Sequence, residues 1–479
     1  MHNNSEKKSS LLMGLEIHIT LNSQKKIFNW ENVYQGDIPP NSQVGPWELG
    51  YLGVLPIINP EVIQLGLKLA AALTMKISKT ILFDRKIYNY FDLPKGYQIT
   101  QQEFPFATNG YLPIILENKI EKLPIKTLQL EEDTAKSIYS QEGIRLDFNR
   151  AGNPLIELVT EPIFSQVETV LIFIQQLQNL LRYLDISQAK MEKGQLRVDL
   201  NFSLRLGENY STPRYEIKNL NSLANIEKAL KYEINQHQLL FSQGQNPPPS
   251  QTLGFDEAKQ ITITHREKTN YYYLPEVNIP PIKLKNSEIQ QISKKLPKLP
   301  WQYWEKVKEI DLQTANKLLK SPFLLKIFNF LAKKKKWESK GSKNWTTFYL
   351  NYLSPQSVSD INLFAEKWQS YYRLFEYWKE KKLGNEAIIE IIHSLLTTEK
   401  TFSSLVKKYE KKGKIDKNLI EQELKNLWNS ELASKLATEQ QRVQNYLLGQ
   451  VKRKFTDYSV PEIIGIIQNF LKEKSASES

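Results

Sequence analysis

Five short segments between Gly14 and Asn221 alternate apolar and polar residues with a period of two, and each carries a carboxylate. That period belongs to a β-strand with one face in a core and the other in water. In Gly14-Leu15-Glu16-Ile17-His18-Ile19, Glu16 and His18 point one way while Leu15, Ile17 and Ile19 point the other. The same reading places Glu131 and Glu132 in Leu128-Gln129-Leu130-Glu131-Glu132-Asp133, and Glu157 between Ile156 and Leu158. Arg197, Asp199, Asn201 and Ser203 alternate with Val198, Leu200, Phe202 and Leu204, after which Glu216 and Lys218 flank Ile217 ahead of Asn219. The pattern predicts an antiparallel sheet whose polar face lines an acidic cradle.

An antiparallel sheet with one wet face accounts for any one of these strands alone. Several carboxylates converging with one histidine and Arg197 demand more, because like charges held together repel unless a cation joins them. Oxygen-rich ligands with a lone imidazole suit Mg2+ better than zinc, and Mg2+ held by few protein oxygens usually also holds a phosphate. Two basic stretches could supply the anion grip. Phe83-Asp84-Arg85-Lys86 precedes Asp92-Leu93-Pro94-Lys95-Gly96-Tyr97-Gln98, so that Arg85, Lys86 and Lys95 stand beside a Pro-Gly turn. Neither matches the Gly-rich loop of the P-loop class. A third turn, Asn149 to Pro154, feeds directly into the strand bearing Glu157.

The strings Gly14 to His18, Asp92 to Gln98, Leu130 to Asp133, Asn149 to Glu157 and Glu216-Ile217-Lys218-Asn219-Leu220-Asn221-Ser222 resemble the B subunits of the aspartyl/glutamyl-tRNA amidotransferases, in order and in spacing. The resemblance runs over essentially the whole chain. It implies an α+β architecture: an N-terminal antiparallel-sheet cradle domain (residues 1–286), an all-α helical domain (287–400) and a small helical tail domain (401–479). The implied activity is ATP- and Mg2+-dependent activation of the side-chain carboxyl of Glu-tRNA(Gln) or Asp-tRNA(Asn), followed by amidation with ammonia. By motif, Glu16, His18, Glu132 and Glu157 fall where that family binds metal, and Asp199 and Glu216 match further acidic positions of the pocket. Lys86 falls at a pocket lysine. Arg85, Lys95, Arg197, Lys218 and Asn219 are the remaining candidates for nucleotide contacts.

A carboxylate is a poor electrophile, so making an amide from it requires a better leaving group, such as an acyl phosphate. Phosphoryl transfer is largely positioning plus charge neutralisation, for which Mg2+ with nearby Lys or Arg suffices. Ammonia is mainly protonated at neutral pH, so a second active site normally generates it under cover. This sequence carries no such site: it has no cysteine to act as a glutaminase nucleophile, and no Gly-rich serine-lysine signature of the amidase class. The resemblance implies two partners in the same complex, an amidase (glutaminase) subunit that supplies the ammonia and a small third subunit. The missing cysteines also rule out the thiolate zinc cluster that the family often carries near Phe28-Asn29-Trp30 and Gly45 to Gly50; no zinc is expected, and Trp30 and Trp47 are expected to fill the volume by packing. Thr269, Asn270 and Tyr272 also depart from the charged residues usual before the family's Tyr-Phe-Pro.

The formal net charge of +12 over 479 residues fits a polyanionic partner, although Lys far outnumbers Arg, as an AT-rich coding bias would produce. Length allows two to four domains. No apolar h-region and no run near eighteen uninterrupted apolar residues is present, so neither export nor membrane spanning is supported, and a cytoplasmic setting is expected. A helix is expected from Leu223 to Gln243, with an exposed loop at Asn246-Pro247-Pro248-Pro249. The aromatics from Trp368 to Trp378 read as helical core, and Lys333 to Lys336 as a solvated helix end. In the tail, Lys452, Arg453 and Lys454 follow Gly449 and are expected to contact tRNA. The rival reading is a non-catalytic tRNA-binding scaffold of the same complex. A carboxylate-amine ligase acting on a free small molecule is a third, for which a basic helical tail has no obvious use.

Overall fold

The computed structural model describes residues 10–304, apart from 35, 37, 118, 207–209 and 267–270. Beyond them it describes residues 315, 317–318, 321–334, 344–345, 347–353, 361–380, 382–398, 400–410, 417–436, 439–455 and 460–477. The altered loop residues Thr269 and Asn270, and Lys335 and Lys336, lie outside this set, as do the side chains of Asn219, Lys333 and Lys334. The chain divides into two compact units, one comprising Met1–Lys308 with Leu319–Pro322 and the other Glu309–Leu318 with Phe323–Ser479.

Strands dominate the first unit. The first nine are β1 (Ser10–Thr20), β2 (Lys76–Ile77), β3 (Thr80–Ile81), β4 (Asp84–Ile87), β5 (Tyr97–Thr100), β6 (Ala107–Leu116), β7 (Lys119–Glu132), β8 (Lys136–Ser140) and β9 (Gly143–Asp147). They are followed by β10 (Pro154–Thr160), β11 (Leu196–Arg205), β12 (Tyr215–Leu220), β13 (Thr252–Asp256), β14 (Ile261–Arg266), β15 (Tyr272–Pro275) and β16 (Ile282–Lys283). Nine of them form one sheet in the order β14-β13-β12-β11-β1-β10-β7-β6-β2. The N-terminal strand thus sits mid-sheet, between β10 and β11. A smaller sheet, β15-β4-β5, carries the basic stretch, while β16 pairs with β3 and β8 with β9.

One ladder departs from the antiparallel expectation, for β12 and β13 run parallel. Parallel neighbours need a long crossover, and the chain supplies it with helix α3 (Leu223–Ser242), close to the expected span. Ser222 caps that helix by accepting from the Asn225 amide. Helix α1 (Pro60–Ala72) starts in the same way, with Asn59 accepting from Glu61 N and Pro60 in the first turn. Helices α2 (Val167–Tyr183) and α4 (Asn286–Lys295) complete the unit. Ile17, Ile19, Leu128, Leu130, Ile156, Leu158, Val198 and Leu200 are all buried on the apolar side of the central strands. Each stabilises the sheet by roughly 1.5–3 kcal/mol relative to exposure, and together they fix which side chains face the other way.

The described part of the second unit is helical: α5 (Pro322–Lys334), α6 (Ile361–Lys379), α7 (Asn385–Thr397), α8 (Phe402–Glu410), α9 (Lys417–Leu427), α10 (Ser430–Leu436), α11 (Gln440–Lys454) and α12 (Val460–Ser477). Two separate apolar clusters hold it, one running from Leu324 to Val406 and the other from Ile420 to Leu471. Phe364, Tyr371, Leu374 and Phe375 are buried in the first, with Trp368, Tyr372 and Trp378 packed against it, so the aromatic stretch is core. No helix among the described residues is long and apolar enough to cross a membrane.

Candidate active site

Register decides which polar residues meet. His18 lies opposite Glu157 on one side and Arg197 on the other, and Glu157 in turn lies opposite Gln129. Two residues along the same strand, Glu16 is opposite Asp199. Cross-strand partners share a face, so Gln129, Glu157, His18, Arg197, Glu16 and Asp199 project to the same side. Glu16, His18 and Glu157 each offer one ligand atom, all within 4.8 Å of one another.

His18 Nε2 is 3.5 Å from Glu157 Oε2 and 3.9 Å from both Glu16 Oε1 and Glu131 Oε1. Burial pulls the imidazole toward neutrality, but the Glu157 hydrogen bond and the charges of Glu157, Glu131 and Glu16 prevail and raise it to about 9. Burial and the neighbouring Glu157 push the Glu16 carboxyl up to about 7, against the pull of His18. Glu131 is likewise raised, chiefly by burial. Glu157 resists its burial and is lowered, because His18 bonds to it. Glu131 Oε1 accepts from Gln98 Nε2 at 2.7 Å, whereas its Oε2 is buried without a hydrogen-bond donor. Two carboxylates and an imidazole within reach of one another, with a further buried carboxylate 3.9 Å from that imidazole, fit a small hard cation. A thiolate-seeking metal finds nothing here, since the chain has no cysteine.

Cations ring the cluster. Burial works against the Lys86 ammonium, but the Glu131 and Glu157 charges outweigh it and hold it well above the usual lysine range. Its Nζ also lies 4.5 Å above the Tyr271 ring. Lys218 Nζ bridges Asp199 Oδ2 and Glu216 Oε1, at 3.0 Å each. Arg197 donates to Asp133 Oδ1 at 3.1 Å, and Arg150 Nε stands 3.5 Å from Asp133 Oδ2. The two guanidiniums hold the buried Asp133 carboxyl below its ordinary range despite desolvation.

Four of the candidate side chains lie in contacts other than those expected. Glu132 stands on the opposite face from Glu131, where its carboxylate accepts from Lys95 Nζ at 2.6 and 2.7 Å, from Ile99 N at 2.9 Å and from Trp47 Nε1 at 3.2 Å. Glu131 takes the place expected of Glu132 beside His18. Lys95 is therefore consumed by Glu132, and its Nζ lies 4.0 Å from the Trp47 ring centre. Arg85, one residue from Lys86 on a strand, faces away and makes a two-bond fork with Glu276 at 2.7 and 3.0 Å. Trp47 is buried as expected of a volume-filling residue, but Trp30 is 60 % exposed.

Charge is buried next to Trp47 in the chain as well. Lys26 and Glu48 are both buried, with Nζ 3.9 Å from Oε2, and Lys26 also donates to Gln43 O at 3.0 Å. In the tail, Lys452, Arg453 and Lys454 form the last turn of α11, and Lys454 Nζ is paired with Glu423 at 2.6 Å.

Residues 11–290 match the family model described as the GatB/GatE catalytic domain. The chain is 35% identical over 462 residues to the B subunit of the aspartyl/glutamyl-tRNA(Asn/Gln) amidotransferase of Thermosipho melanesiensis, an alignment covering 92% of this chain and 95% of that one. Against the protein of the same name from Thermotoga petrophila the identity is 34% over 481 residues, covering 96% and 98%. For Mycoplasma capricolum it is 34% over 469 residues, covering 95% and 96%.

Proposed function

Because the chain belongs to the family of aspartyl/glutamyl-tRNA amidotransferase B subunits, we propose that it activates the side-chain carboxyl of Glu-tRNA(Gln), Asp-tRNA(Asn) or both, at the expense of ATP, for conversion to the amide. The observation that carries the reading is the convergence of Glu16, Glu157 and Glu131 on His18, with Lys86 beside them. Glu16, His18 and Glu157, with Glu131 alongside, would hold Mg2+. Bound there, the ion would neutralise the phosphate oxygens of a nucleotide.

The chain's own residues divide the remaining work. The Lys86 ammonium, kept charged by Glu131 and Glu157, draws a transferring phosphoryl group toward the cluster. Lys218 and Arg197 stand at its edge with their charge largely balanced by Asp199, Glu216 and Asp133. If Arg197 turns to an incoming anion, Arg150 stays beside Asp133, whereas Lys218 could turn only by leaving Asp199 and Glu216 without their shared cation. The substrate carboxylate takes the γ-phosphoryl group, ADP departs, and ammonia attacks the acyl carbon with loss of inorganic phosphate. The ammonia comes from glutamine in a partner amidase, joined by a small third subunit. The helical segment 287–400 and the tail 401–479 serve as tRNA-holding domains.

The test is conversion of Glu-tRNA(Gln) and Asp-tRNA(Asn) by this chain assembled with the amidase and small subunits of its host. ATP- and Mg2+-dependent product that disappears when this chain is omitted supports the reading. Tight tRNA binding without conversion, in an assembled complex supplied with ammonia, would leave only a scaffold.

A further inference from the structure

Consecutive residues on a strand point to opposite faces, so Glu131 cannot be aimed at His18 unless Glu132 is fixed on the other side. Lys95, the Ile99 amide and the Trp47 indole fix it. Trp47 is in turn gripped at its neighbour: Glu48 accepts from Gly45 N at 2.8 Å and from Asn29 Nδ2 at 2.5 Å, and pairs with buried Lys26. The same carboxylate abuts Gly152, where a Cβ would stand 2.5 Å from Glu48 Oε1, at a backbone with φ +76 that favours glycine. Gly152 N donates to Asp133 O at 2.9 Å, its carbonyl accepts from Ile27 N at 3.0 Å, and it lies in the turn that launches β10. One small assembly therefore touches the end of β7, which carries Glu131, and the start of β10, which carries Glu157.

We propose that Lys26, Trp47 and Glu48 are positioning residues that set the spacing of Glu131 and Glu157, and so tune how tightly the cluster holds a divalent cation. None of the three reaches the cluster itself. Their effect passes through Glu132 and Gly152. A buried ion pair is weak evidence for stability, since apolar replacements often serve as well. Its better-attested use is to specify one arrangement among several, and here the arrangement is that of two metal-facing carboxylates. The inference rests on the proposed cation site and deepens it.

The experiment measures Mn2+ binding by paramagnetic resonance, together with the thermal midpoint, on the assembled complex. The variants are Trp47→Phe and Lys26→Met/Glu48→Gln. Trp47→Phe keeps a ring between Phe28 and Lys95 but removes the N–H that Glu132 accepts. Partners outside the ligand shell typically change metal affinity about 10- to 100-fold, so Trp47→Phe is expected to raise the Mn2+ dissociation constant about tenfold at an unchanged midpoint. The double variant is expected to raise it at least as much. Unaltered Mn2+ affinity in folded Trp47→Phe overturns the proposal, whatever the double variant does. No Mn2+ binding by the unsubstituted complex would overturn the cation site and this inference with it, whereas binding without tRNA amidation would count against the proposed function alone.

Discussion

His18 and Glu157 face each other across the ladder between β1 and β10, with Nε2 3.5 Å from Oε2, and this contact makes the site a proton store when no metal is bound. The imidazole is raised from 6.5 to about 9. A raised folded-state value stabilises fully below the unfolded value and is lost as pH climbs through the folded one. At about 1.4 kcal/mol per unit, His18 contributes on the order of 3 kcal/mol near pH 6 that drains away toward pH 9. Glu16, raised to about 7, moves in the same direction, costing stability as it ionises between the ordinary carboxylate range and pH 7. A cation needs the deprotonated ligands. Mg2+ is therefore expected to raise the thermal midpoint more at pH 9 than at pH 6.5, and His18→Gln to flatten the difference. Equal shifts at both pH values would refute this account.

Glu131→Gln and Glu132→Gln, one residue apart, are expected to fail differently. The first keeps a hydrogen-bonding side chain against Gln98 but gives up the charge beside His18, so divalent-cation affinity falls at least tenfold with little change in midpoint. The second leaves buried Lys95 without its counter-charge and costs about 3 kcal/mol. Urea unfolding and cation titration of both variants separate the effects. Identical behaviour would mean that the two carboxylates share one environment.

Arg85 and Lys86 form a parallel contrast. Lys86→Met is expected to slow ATP-dependent activation about a hundredfold, the usual cost of losing one preorganised charge, while the fold stays intact. Arg85→Met strands Glu276, whose side chain is fully buried, and is expected to lower stability by about 3 kcal/mol. Single-turnover kinetics and denaturant melts read the two outcomes. A kinetic defect confined to Arg85→Met would invert the assignment.

At the end of α11, Lys452→Ala and Arg453→Ala should each reduce the salt dependence of tRNA binding by about one unit of slope if they contact phosphate. Lys454 is paired with Glu423, so Lys454→Ala is expected to do less than Arg453→Ala. Unchanged slopes for all three would place the tRNA elsewhere.

Two-residue alternation makes Glu16, His18, Glu157, Asp199 and Lys218 legible, because their apolar neighbours leave one parity for the core. The same rule applied to Leu128 and Leu130 puts Glu131 on the polar side and Glu132 on the apolar side. Motif matching favours Glu132, whereas parity and the register of β7 with β10 favour Glu131. Arg85 and Lys86 sit on a four-residue strand in which three successive charged residues, Asp84 to Lys86, separate Phe83 from Ile87, so their divergence is harder to read. Lys26 and Glu48 give no local sign of burial at all. A charged pair enters a core only when distant segments close over it, and here the contacts run to Gln43, Asn29 and Gly152.

The place of β1 in the middle of its sheet has a consequence for synthesis. Its neighbours β10 and β11 are made far later, and His18 cannot meet Arg197 until that residue has left the ribosome. At about 5–20 residues per second, the N-terminal strand waits roughly ten seconds or more with both edges unpaired. Long-range pairing of this kind folds slowly and exposes strand edges meanwhile. The interval before β11 emerges is when the nascent chain most needs shielding, and slow decoding placed ahead of Arg197 would lengthen it.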